Sequence, residues 1–158
     1  MIYFKKVYFN YSDKAAIEAA FRKSAVKCSR FLELELSTSN VGTDKLFFGY
    51  ENKKGLYFMR IKNSLEVILP NIIFRLPKDE TSFYYAFGLS TLATILFFLF
   101  CFGLIFSIPR VFSGDFTFEG FITSIILFLL FLGLAWLELR ITSSKIEKAI
   151  QKQQTVAS

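Results

Sequence analysis

The sequence predicts an α+β domain followed by an α-helical transmembrane hairpin of two spans. The domain is expected to place one helix on a mostly antiparallel sheet, in β-α-β-β-β-β order. Three features carry this expectation. Charge is divided abruptly: residues 1–83 hold 14 Lys or Arg and 9 Asp or Glu, whereas residues 84–137 hold only Arg110, Asp115 and Glu119. Two uncharged runs within the second stretch are long enough to cross a bilayer as helices. Before Tyr84, apolar residues instead recur once with helical spacing and several times with strand alternation. The expected organisation is a cytoplasmic domain over 1–83, spans over 84–108 and 119–139 within a membrane segment 84–139, and a basic tail over 140–158.

The first strand is expected over residues 2–10, where apolar and polar residues alternate. This stretch contains Lys5 and Lys6 and lacks the continuous apolar core of a signal peptide, so the domain is expected to remain in the cytosol. Tyr11, Ser12 and Asp13 offer a helix N-cap. The following helix, to about Ser29, carries Ile17, Ala20, Phe21, Ser24 or Ala25, and Cys28 on one stripe, with Lys14, Glu18, Arg22, Lys23 and Lys27 opposite. In residues 30–38, Leu32, Leu34 and Leu36 alternate with Glu33 and Glu35, the pattern of a half-buried strand. The Asn40–Gly42 region turns the chain. Residues 44–51 and 56–62 read as a hairpin joined by Asn52-Lys53-Lys54-Gly55. Residues 65–69 and 71–76 read as strand interrupted at Pro70.

The run 84–108 contains no charged residue over 25 positions. At about 1.5 Å per residue it exceeds the length needed to cross a hydrocarbon core of about 30 Å. The second run, Gly120 to Leu137, is 18 residues long, with Phe118 and Leu139 available to extend it. Two such helices buried in a soluble core would need more surrounding protein than this chain supplies. Pro109 is expected to end the first helix, and Ser113-Gly114-Asp115 to turn the chain. The short loop makes the spans antiparallel. It carries one basic residue, Arg110, against Arg75, Lys78, Arg140, Lys145, Lys148 and Lys152 on the other side. Both termini are therefore expected to face the cytoplasm of a cell whose inner membrane holds the protein.

Gly88, Ser90, Thr94, Gly103 and Gly133 are the candidates for close helix packing, either within the hairpin or between copies. Tyr84, Tyr85 and Trp136 suit the membrane interface. Glu138, beside Arg140, reads as a solvated residue at the cytoplasmic edge. After it, Ile146 and Ile150 lie four apart among Lys145, Lys148 and Lys152, which suits either a helix on the inner leaflet or a solvated tail.

Composition excludes several chemistries. The chain has 158 residues, 53% of them hydrophobic, 21 Phe and no His. Without His there is no Ser-His-Asp or Cys-His site, and the commonest zinc ligand is missing. No Gly-rich phosphate loop, nucleophile elbow or CxxC pair is present. Glu33 and Glu35 fall on the solvent side of their strand. Cys28 and Cys101 lie in different solvents and are not expected to pair. No enzymatic role, metal or cofactor is therefore expected.

Charge remains as a clue to function. The net charge is +6, and Lys53, Lys54, Arg60, Lys62, Arg75 and Lys78 recur among Tyr50, Tyr57, Phe58 and Phe74. Cations with interleaved rings suit an anionic ligand such as a nucleotide second messenger, with phosphate on the cations and a base on the rings. The same residues would also suit anionic lipid or a protein partner. In layout, a cytosolic domain joined to a membrane hairpin, the chain is similar to small two-pass bacterial effectors. That likeness implies a homo-oligomerising defence effector, in which a bound signal makes the Phe-rich hairpins perturb the bilayer. The alternative is an accessory subunit of a larger membrane complex.

Overall fold

A computed structural model describes residues 2–10, 13–28, 45–79, 81, 83–113 and 118–157. The order is β1 (Ile2–Tyr8), α1 (Lys14–Ser24), β2 (Ala25–Lys27), β3 (Phe47–Asn52), β4 (Gly55–Arg60), a 3-10 turn (Ser64–Ile68), β5 (Ile72–Pro77), β6 (Tyr84–Leu89), α2 (Thr91–Ser113) and α3 (Phe118–Ala157). The strands form one mixed sheet ordered β1-β6-β5-β4-β3-β2, antiparallel throughout except for the parallel pair β2–β3. The first and last strands of the sheet lie side by side at one edge, because β1 pairs with β6, the strand that leads into the long helices.

Alternation sorts the strand residues to two faces. Leu56 and Phe58 of β4, Ile72, Phe74 and Leu76 of β5, and Tyr85, Phe87 and Leu89 of β6 form one buried face. Phe48, Met59 and Ile73 belong to the other. The apolar stripe of α1 supplies Ile17, Ala20 and Phe21. Phe21 is fully buried, with its ring 5.4 Å from Phe58 and 5.2 Å from Phe74. The β3–β4 hairpin closes where Asn52 Oδ1 accepts the Lys54 and Gly55 N–H groups. Gly55 has φ +157°, and a Cβ there would lie 2.6 Å from the Leu76 carbonyl oxygen, so glycine is required.

Several elements differ from the sequence expectation. The first helix stops at Ser24 rather than near Ser29, because Ala25–Lys27 pairs with β3 and Cys28 N–H donates to the Gly49 carbonyl. The strand expected over residues 65–69 is replaced by a 3-10 turn over Ser64–Ile68. The apolar run beginning at Tyr84 contains two elements. Residues 84–89 are β6, and the helix starts at Thr91. A strand paired on both sides is as free of charge as a buried helix, so composition alone does not separate them. Pro109 does not end α2, which continues to Ser113. Proline's φ is helical, and near a last turn its missing N–H removes only one hydrogen bond. The strand expected over residues 30–38, with Glu33 and Glu35, lies outside the described residues, as do Gly114 and Asp115 of the turn expected after Ser113.

The helices α2 and α3 are both long and apolar enough to cross a membrane. They run antiparallel through Phe97 against Phe128 and Phe131 (centroids 6.0 and 6.4 Å) and Phe100 against Phe131 (5.6 Å). α3 extends over 40 residues, about 60 Å. Its second half is neither a loose tail nor a separate surface helix. Ile146 and Ala149 are buried in the same cluster as Phe21 and Phe74. The Ile146/Ile150 stripe therefore packs back on the domain.

Candidate functional site

Strand alternation puts Arg60 on the same inward face as Leu56 and Phe58. Its guanidinium would be stranded there without an acid. Glu138, first charged residue of α3 after its apolar run, supplies one. Arg60 Nε and Nη2 donate to the two Glu138 carboxylate oxygens at 3.1 and 2.6 Å, a bidentate pair. Both side chains are fully buried. Arg60 Nη1 donates to Glu66 Oε2 at 2.6 Å, and Glu66 in turn accepts the Asn63 N–H. Thr142 Oγ1, one helical turn beyond Glu138, donates to Glu138 Oε1 at 3.3 Å. Lys62 Nζ lies 4.0 Å from the same oxygen and donates to the Leu69 carbonyl and to Asn71 Oδ1.

The electrostatics agree with a buried cluster held by its partners. Burial opposes the Arg60 charge, but hydrogen bonding and attraction from Glu138 and Glu66 outweigh it and raise its pKa. Burial pushes the Lys62 ammonium down, with Glu138 pulling against it, and lowers Lys145 nearby. Burial works to raise Glu66, yet the Asn63 N–H and Arg60 leave its pKa lowered. Losing one partner from such a pair leaves an uncompensated charge in the interior. Removing either partner is therefore costlier than breaking a surface ion pair.

A second joint sits at the same level. Ser90 alone separates β6 from α2. Its N–H donates to the Asn71 carbonyl at 2.9 Å, and its hydroxyl accepts the Ala93 N–H at 3.2 Å, capping α2. Thr94 Oγ1 donates back to the Leu89 carbonyl. The ring register of the two helices puts Ser90 level with Glu138. Asn71 touches both joints, through its carbonyl to Ser90 and through its side chain to Lys62. The loop between β4 and β5 thus braces both long helices where they leave the sheet.

The six cations expected to form a ligand face do not form one surface. Arg60 and Lys62 are brought together, but inside the protein, 1% and 6% exposed. Lys53 and Lys54 are exposed at the β3–β4 turn, the opposite end of β4 from Arg60. Arg75 donates to the Lys54 carbonyl and lies over the Tyr57 ring, 5.6 Å from its centroid. Lys78 pairs with Glu51, which also holds Arg22. Phe58 and Phe74 are core residues, while Tyr50 and Tyr57 pack on the other face. Two clefts, of about 430 and 220 Å³, are lined by none of the six.

The small residues divide similarly. Gly88 lies in β6, where a Cβ would come within 2.7 Å of the Ile2 carbonyl oxygen. Ser90 and Thr94 build the β6–α2 joint. Gly103 and Gly133 have nothing within 4 Å of a Cβ position, so neither mediates close contact inside the chain. Glu138 was expected at a solvated edge and is instead fully buried. One signal points to it: a carboxylate that ends an apolar run requires a cation once buried, and Arg60 is a cation on an inward strand position. Cys28 and Cys101 are not joined in a disulfide. No family model, curated protein or solved structure matches the chain.

Proposed function

We propose that this is a two-pass membrane protein without an enzymatic role, whose cytoplasmic domain and membrane hairpin act as one rigid unit. A signal or partner engaged by the domain would reach the bilayer through the two joints. The reading rests on one observation. The apolar windows of α2 and α3 are only 17% and 6% buried, so Leu, Ile and Phe side chains cover their outer surfaces. A core helix of a soluble protein would bury these side chains, whereas lipid accepts them. The spans are then Thr91–Arg110 and 118–137, of 20 residues each, in place of 84–108 and 119–139. At about 1.5 Å per residue each is close to a hydrocarbon thickness. Their cytoplasmic ends coincide with Ser90 and Glu138. Arg140 and Trp136, stacked at 5.7 Å, mark the same interface.

Of the six candidate cations, those exposed and left for an anionic signal are Lys53 and Lys54, with Arg75 nearby. Lipid or further copies of the chain would take the Phe-rich outer faces. Topology tests the reading. In a background of Cys28→Ser and Cys101→Ser, Lys53→Cys and Ser113→Cys are labelled in intact cells with an impermeant maleimide. Ser113→Cys should react from outside, and Lys53→Cys only after permeabilisation. Reaction of both from one side, or release of the protein by alkaline carbonate, would remove the two-pass reading.

A further inference from the structure

The 3-10 turn Ser64–Ile68 has its polarity inverted relative to a water-facing loop. Leu65, Val67 and Ile68 are 91%, 54% and 78% exposed, while Glu66 between them turns inward to Arg60 and the Asn63 N–H. An exposed run of three large aliphatic side chains, with the one charge withdrawn, is disfavoured in water and favoured against an apolar medium.

The structure also fixes where this turn sits. Glu66 is bound to the Arg60 that grips Glu138, at the end of one long helix. Asn71, just beyond the turn, accepts the N–H of Ser90, at the start of the other. These are the two points at which the chain enters the bilayer in the two-pass reading. The first residue of β1 comes to the same level, since Ile2 pairs with Leu89; Ile2, Tyr3 and Phe4 are likewise exposed there.

We infer that the 3-10 turn is a membrane-inserting element, and that Leu65, Val67 and Ile68 enter the acyl-headgroup boundary of the cytoplasmic leaflet beside the spans. Its occupant is the lipid surface itself. A third contact, displaced sideways from the two helices, resists rocking of the domain on its hairpin. It also makes the domain's position sensitive to lipid packing, because the turn is held by the same arginine that holds α3.

The inference rests on the two-pass reading, and its test separates the two. Nitroxide labels are placed one at a time on cysteines replacing Leu65, Ile68, Lys53 and Leu129 in the cysteine-free full-length protein, reconstituted in phosphatidylcholine–phosphatidylglycerol vesicles. All four side chains are exposed, and none belongs to the Arg60 cluster. Collision with oxygen, enriched in lipid, is compared with collision with a water-soluble nickel chelate. Labels at 65 and 68 should favour oxygen several-fold over the chelate, as at 129, and the label at 53 should show the reverse. If 129 reads as lipid while 65 and 68 read as water, the inserting turn is overturned and the spans stand. Low collision with both reagents at 65 and 68 would mean a protein surface covers the turn, which also overturns it. A water-like reading at 129 would overturn both.

Discussion

Arg60→Met tests the joint between sheet and hairpin most severely. The substitution keeps much of the side-chain volume and removes three charge-assisted hydrogen bonds, two to Glu138 and one to Glu66. Glu66, with a side chain 25% exposed, can turn toward water. Glu138 cannot: it is fully buried, and its remaining neighbours are the Thr142 hydroxyl at 3.3 Å and Lys62 at 4.0 Å. Leaving one member of a buried pair uncompensated costs about 3–5 kcal/mol. Glu138→Met is milder, because Arg60 keeps Glu66; the loss expected for bonds between charged groups is about 2–3 kcal/mol. Arg60→Met with Glu138→Met removes both charges and fills the site with apolar atoms, and should return to within about 1 kcal/mol of the parent. The coupling between the two positions should then exceed about 2 kcal/mol. Urea unfolding of the full-length protein in detergent micelles measures this. It is followed by circular dichroism and by the single tryptophan, Trp136, two residues from Glu138. Single variants within about 0.5 kcal/mol of the parent, or a double variant equal to their sum, would refute the argument.

Other expectations follow from the same packing. Phe21→Ala removes a fully buried ring that contacts four aromatic rings, and should destabilise the domain by about 3–5 kcal/mol in the same titration. Gly88→Val drives a side chain into the Ile2 carbonyl. It should detach β1, seen as loss of amide exchange protection over Tyr3–Tyr8 with β4 and β5 protected. The Glu51 carboxyl is held down to about 2 by hydrogen bonds from Arg22 and Lys78. Its stabilising contribution is complete above the ordinary carboxylate value of 4.5 and is lost as pH falls toward 2. Glu51→Gln should flatten that acid limb of the stability curve, a modest change because all three side chains are partly exposed.

Local patterns carried part of this fold. The uncharged runs lead to α2 and α3, the Ile17–Phe21 stripe to α1, and the Asn52–Gly55 turn to the β3–β4 hairpin. Each signal sits inside the element it forms. The errors arise where the deciding contact is distant in sequence. Tyr84–Leu89 becomes a strand because β1 and β5 flank it. The Ile146/Ile150 stripe was visible, but its destination, the cluster around Phe21, was not. Charge and interleaved rings make Arg60 and Lys62 read as ligand contacts. Their actual partners include Glu138, 78 positions from Arg60, and alternation in β4 sets Arg60 on the same buried face as Phe58. An inward cation predicts a buried acid better than it predicts an external ligand.

The central claim is that domain and hairpin move as one body. The most direct test is the distance between spin labels at Lys53→Cys, on the far turn of the sheet, and Ile105→Cys, deep in α2. Pulsed dipolar spectroscopy would be applied in nanodiscs, diluted with unlabelled protein. The account predicts a single narrow distance distribution that broadens in Arg60→Met and narrows again when Glu138→Met is added. A distribution already broad in the parent protein, or one that Arg60→Met leaves unchanged, would contradict it.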